Sequence, residues 1–184
     1  MSISRRNFIR QSGLAVTFTV AGRAMLLTPR EAYAGDIPFS VLNREEVDTL
    51  EAICEHLLSG ARGNGVAHFV DSQLSLDPAD SMLFIKCFEL EQPFPDFYRS
   101  ALAELSRVSE TVYGKSIVEL DQAGAVSLIE SLRDGNVPGW IGPPPPLVYH
   151  ALRNDAVDVV YGTMEGFADL GIPYLAHIEP PEAW

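Results

Sequence analysis

Asn43-Arg44-Glu45-Glu46-Val47-Asp48-Thr49-Leu50-Glu51-Ala52-Ile53-Cys54-Glu55-His56-Leu57-Leu58 is the stretch on which the fold reading turns. It opens on an Asn followed three positions later by a Glu, the spacing at which two side chains can each satisfy an otherwise unpaired amide of a first helical turn. Behind that capping box Val47, Leu50, Cys54, Leu57 and Leu58 recur at helical spacing, which predicts an amphipathic helix ending near Ser59-Gly60.

The same period continues toward the C-terminus. Gly60-Ala61-Arg62-Gly63-Asn64-Gly65 reads as a flexible loop, since its glycines are not in the order of a dinucleotide fingerprint and no Lys-Ser or Lys-Thr follows. Residues 66–74 predict a second helix through Val66, Phe69, Val70 and Leu74, and Asp77-Pro78-Ala79-Asp80 a short third one through Met82, Phe84, Ile85 and Phe88. The longest helix is expected over residues 97–113, with Phe97, Ala101, Leu105, Val108 and Val112 as its stripe and Gly114 as its stop. Asp121 caps a helix carrying Ala125, Leu128, Ile129 and Leu132, which Asp134-Gly135 closes. Pro143-Pro144-Pro145-Pro146 lacks amide donors and favours an extended backbone, so it reads either as a stiff connector whose last proline opens a helix near Leu147 or, beside Trp140, as a ridge for a partner's groove. The final helix takes Val148, Leu152, Val157 and Val160. Beyond Gly162 comes a tail rich in aromatic, Gly and Pro residues. No stretch alternates convincingly at period two, so the expected fold class is all-α: a compact orthogonal helical domain with a long irregular Gly/Pro/aromatic C-terminal tail.

Working toward the N-terminus, Ser4-Arg5-Arg6-Asn7-Phe8-Ile9-Arg10 precedes the apolar run of residues 14–21, and Ala32-Tyr33-Ala34 follows. A charged n-region, a short apolar h-region and a small-x-small site make an export leader, and the adjacent Arg5 and Arg6 with Phe8 resemble the twin-arginine pattern. Cleavage after Ala34, with Ala32 as the other small residue, divides the chain into a leader of residues 1–34 and one domain of residues 35–184. Arg23 interrupts the apolar run, which argues against an uncleaved anchor. The twin-arginine translocase carries folded cargo, so a periplasmic location is expected, with a cofactor or a travelling partner to account for the route.

Five of the thirteen basic residues and one of the twenty-five acids lie in the leader, leaving eight and twenty-four, a net charge of −16 on residues 35–184. Nucleic acid is a poor fit to such a surface, because phosphate binding rests on clustered Lys and Arg. Cys54 and Cys87 are the two cysteines; they could bridge in an oxidising compartment or stay separate buried thiols. Neither lies in a Cys-x-x-Cys pattern. His56, His68, His150 and His177 share no metal-binding spacing, and nucleophile and dinucleotide motifs are absent. The residues therefore assign this chain no catalytic, cofactor-binding or metal site of its own. A self-contained periplasmic enzyme and a stand-alone binding module remain as alternatives to an accessory role.

Residues 159–184, which contain Tyr161-Gly162-Thr163-Met164-Glu165-Gly166-Phe167-Ala168-Asp169-Leu170-Gly171-Ile172-Pro173-Tyr174 and end on Trp184, resemble the C-terminal block of the gluconate 2-dehydrogenase subunit 3 family. Leu42-Asn43-Arg44-Glu45-Glu46 and Val66-Ala67-His68-Phe69-Val70-Asp71 resemble that family's first and second helix motifs. The resemblance implies a non-catalytic small subunit. Its partner would be a large FAD-containing subunit of the glucose-methanol-choline type, oxidising a sugar, sugar acid or glycoside, with a c-type cytochrome carrying haem as a further subunit. It also implies export of the large subunit bound to the small one, and membrane association through the complex. Trp140, Tyr161, Phe167, Tyr174 and Trp184 are then the candidate partner anchors, against ordinary core packing for each.

Overall fold

The structure is a computed structural model that describes residues 16–20, 23–88, 90 and 92–173. Within them a two-stranded hairpin, β1 (Val16–Val20) and β2 (Arg23–Leu27), precedes seven helices: α1 (Pro29–Ala34), α2 (Arg44–Leu57), α3 (Val66–Leu74), α4 (Phe94–Val108), α5 (Gln122–Asp134), α6 (Pro145–Tyr161) and α7 (Met164–Asp169). Helix α2 is central and packs against α3, α4, α5 and α6. Its capping box closes in both directions: the Asn43 side chain accepts from the Glu46 amide at 3.0 Å, and the Glu46 carboxylate accepts from the Asn43 amide at 2.8 Å. Val47, Leu50, Ile53 and Cys54 are fully buried along its inner face.

Helix α3 is buried along its whole length, so its polar side chains must find partners inside the protein. Both oxygens of Asp71 accept from backbone amides, those of Ser40, Val41 and Leu42, each at 2.8 Å. That carboxylate fixes the extended lead into α2. The Gln73 side-chain oxygen likewise accepts from the Met82 amide at 2.8 Å and ties down the segment beyond α3.

Other sequence signals work as spelled. Asp121 accepts from the Gly124 amide at 2.9 Å to start α5, and Gly135, at φ 71°, ends it in a left-handed turn. The proline run divides: Pro144 is the residue before α6, and Pro145 and Pro146 occupy its first turn, where a missing amide costs no helical hydrogen bond.

Four expectations need correction. No α-helix spans residues 77–88: Asp77 opens one turn, its side chain accepting from the Ala79 amide, but Gln73 of α3 captures the Met82 amide, and only Phe84–Cys87 then forms a 3-10 turn. The long helix starts earlier, at Phe94, and loosens at Ser109–Tyr113 into a π-turn, where the Ser109 hydroxyl donates to the Lys115 carbonyl at 2.8 Å and the Thr111 hydroxyl to the Arg107 carbonyl at 2.8 Å. Residues 60–65 are held rather than free: Glu55 accepts from the amides of Gly60 and Arg62 at 2.8 and 3.0 Å, and Ala61 is fully buried. The hairpin was not foreseen. Val16-Thr17-Phe18 does alternate at period two, with Val16 and Phe18 buried and Thr17 exposed, and β1 pairs antiparallel with β2 in the register Val16 to Leu27 and Phe18 to Met25.

The described part of the tail, residues 163–173, begins with the short helix α7. Thr163 accepts from the Gly166 amide at 3.0 Å and caps α7. Gly166 is required there, since a Cβ would stand 2.4 Å from the Val160 carbonyl oxygen where α7 folds back on α6.

Candidate interaction surface

Two cysteines left open a bridge, and the structure closes that question: both thiols are free. Cys54 is fully buried and its Sγ donates to the Leu152 carbonyl at 3.7 Å, whereas Cys87 is exposed at the end of the 3-10 turn. Burial pushes the Cys54 thiol well above its usual value, the opposite of what a nucleophile needs.

Cys54 belongs to a polar cluster inside the core. The Tyr98 hydroxyl of α4 donates to the Asp155 carboxyl of α6 at 2.6 Å, and both residues are fully buried. The second Asp155 oxygen has no hydrogen-bond partner among the described residues. Burial therefore favours the neutral acid, and the Asp155 carboxyl is pushed up to about 8 against the pull of the Tyr98 hydrogen bond. Enclosed on all sides, the cluster bridges helices and offers nothing to a substrate. Among the described residues no group of three or more His, Cys, Asp and Glu is placed to hold a metal.

The surface is more informative. Residues 137–144 form a ridge braced by α4. Arg107 donates to both Glu104 oxygens at 3.0 and 2.7 Å and to the Gly139 carbonyl at 2.6 Å, while Glu104 accepts from the Ile141 amide at 3.1 Å. The Arg107 hydrogen bond holds the Glu104 carboxyl below the usual carboxylate range, so the brace stays charged. Trp140 is half-buried and its indole N–H donates to the Pro143 carbonyl at 2.6 Å. Gly142 admits no side chain without displacing Glu104, whose Cγ would lie 2.9 Å from a Cβ. On this fixed ridge Ile141 is 83% exposed.

Trp140, the sequence candidate, is thus partly buried and tied back within the ridge, and the most exposed apolar group there is Ile141, which the sequence reading does not single out. A lone Ile between Trp and Gly carries no periodic signal. Of the other candidates, Tyr161 and Phe167 are half-buried, Tyr161 at the end of α6 and Phe167 in α7, while Tyr174 and Trp184 lie outside the described residues, as do Arg5, Arg6 and Phe8. Ala32 is fully buried in α1 and Ala34 is exposed at its end. Beyond α7, Leu170 and Ile172 are about half exposed. A second apolar strip runs along the 3-10 turn, with Phe84 and Phe88 edge to face at 5.3 Å and His150 of α6 at 6.5 Å from Phe84. No helix among the described residues is long and apolar enough to cross a membrane.

The sequence model of the family described as gluconate 2-dehydrogenase subunit 3 matches residues 44–176, from the first residue of α2 to beyond α7. No curated protein and no solved structure matches the chain.

Proposed function

The chain belongs to the gluconate 2-dehydrogenase subunit 3 family, and on that premise we propose that it is the non-catalytic small subunit of a dehydrogenase whose large subunit carries FAD. In this reading the large subunit oxidises a sugar, sugar acid or glycoside and passes electrons to a c-type cytochrome. The small subunit stabilises it and escorts it through twin-arginine export into the periplasm. The reading is supported by the family match over residues 44–176 and by an exposed apolar side chain on a loop that α4 braces.

The observation that carries the docking role is Ile141, an apolar side chain in solvent on a ridge that α4 holds rigid. A pre-fixed loop loses little conformational entropy on binding, so most of the gain from burying its side chain survives as affinity. Burial of one Ile is worth about 1.5–3 kcal/mol, which is roughly ten- to hundredfold in a dissociation constant.

The test co-expresses tagged full-length chain with the large subunit and measures flavin recovered with the tag. Ile141→Glu should lower recovery at least about tenfold while the thermal midpoint of the small subunit stays unchanged. Undiminished recovery would remove the ridge from the interface.

A further inference from the structure

The body of this protein grips the segment that the leader reading marks for removal. Three features place it there. At the start of α3, Gly65 has φ 79° and lies so close to α1 that a Cβ would stand 2.1 Å from the Pro29 carbonyl oxygen. His68, one turn further along, is buried among the rings of Phe18 at 6.3 Å, Tyr33 at 6.2 Å and Phe39 at 4.4 Å, and its Nε2 is 2.9 Å from the Ile37 carbonyl oxygen. A carbonyl can only accept, so Nε2 carries the proton and the ring is a donor fixed by that bond. Finally, Val16, Phe18 and Ala32 form their own apolar cluster, with Leu27 and Ile37 packed against it.

The backbone around the small-x-small site is also closed. Thr28 and Glu31 make a reciprocal capping box for α1. Across the Ala34–Gly35 bond run three backbone hydrogen bonds: the Gly35 amide to the Glu31 carbonyl at 2.9 Å, Asp36 to Tyr33 at 3.2 Å and Ile37 to Ala32 at 3.1 Å. A peptidase takes its substrate as an extended segment, and none of these bonds survives extension. The exposed ion pair between Arg30 and Glu165 at 3.0 Å adds a second tether, to α7, that contributes little energy.

We propose that residues 16–20 and 23–34 are an intramolecular ligand of the α3 face, held by the Gly65 approach and the ring cage around His68, and that this latch withholds the Ala34–Gly35 bond until it opens. The latch rests on the folded body alone; its role in processing rests on the reading of residues 1–34 as an export leader. Opening must uncover Phe18 and Ala32 together, and burial of a Phe alone shifts such an equilibrium about ten- to hundredfold.

Limited trypsin digestion of the purified full-length chain tests the latch at the Arg30–Glu31 bond, because cleavage of native protein tracks the open population. The wild type should be cut there at least about tenfold more slowly than Phe18→Ser and Gly65→Val. Phe18→Ser lies outside the helical body, so it remains informative if Gly65→Val disturbs α3; the far-ultraviolet spectrum of each variant reports on the body. Equal trypsin rates for wild type and Phe18→Ser would overturn the latch. Purified signal peptidase, applied to the same samples, addresses the leader: faster cleavage after Ala34 in Phe18→Ser is expected. If trypsin separates the variants but the peptidase cuts none of them after Ala34, the leader reading falls and the latch stands.

Discussion

Replacing Asp155 by Asn should flatten the pH dependence of stability, and the size of the effect follows from its burial. In the unfolded chain this carboxyl titrates near 3.8, and in the folded chain near about 8. Between those values the folded state holds a proton that the unfolded state has released, so stability is highest below about pH 4, falls as pH rises, and levels off above about pH 8. At about 1.36 kcal/mol for each factor of ten in proton affinity, the loss from this one group is on the order of 6 kcal/mol. Burial of Glu51 and Asp158 raises their carboxyls and adds to the same trend, while burial lowers His68 and opposes it by adding stability as pH rises toward neutrality. The informative quantity is therefore the difference between wild type and Asp155→Asn, since the variant keeps every other group. Urea denaturation of both proteins from pH 4.5 to pH 8.5 measures it. The variant should gain on the wild type steadily with pH and be the more stable protein at the alkaline end. Tyr98→Phe, which removes the 2.6 Å donor, should cost about 1–3 kcal/mol at pH 5.5 and prolong the decline to higher pH, because the lost hydrogen bond held the carboxyl down. Parallel curves for wild type and Asp155→Asn would show that Asp155 titrates as an ordinary solvated acid, and the burial reasoning would fail.

Asp71→Asn can keep its oxygen for the Val41 and Leu42 amides but turns an NH2 group toward the Ser40 amide and loses the charge, so the urea midpoint at pH 7 should fall by the equivalent of roughly 2–4 kcal/mol. Arg5→Lys with Arg6→Lys should abolish periplasmic accumulation, read by cell fractionation; unchanged accumulation would exclude the twin-arginine route.

Local signals were legible because each is satisfied within a turn or two of chain. The Asn43–Glu46 box, the Asp121 cap, the Gly135 stop and the stripes of α2, α3 and α5 all require only neighbours in sequence. Contacts across long separations were not. Tyr98 meets Asp155 at a separation of 57 residues, and Asp71 reaches back some thirty to the lead of α2, so neither pairing has a local spelling. Residues 77–88 misled for a related reason: their apolar spacing suits a helix, but Gln73, from the helix before, takes the amide that helix would use. At the ridge the sequence does not tell which side chain lies in solvent. Whether Trp140 or Ile141 faces solvent depends on Glu104 and Arg107 of α4, which bind the loop from more than thirty residues away.

The central claim, an accessory subunit bound to a flavin-containing dehydrogenase, is tested most directly by isolating the tagged full-length chain from its native cells. The expected preparation contains a second, larger chain in stoichiometric amount, a flavin absorption spectrum and dehydrogenase activity that leaves with the larger chain when the two are separated. A tagged protein that elutes alone and without flavin, or that turns over a substrate by itself, would contradict it.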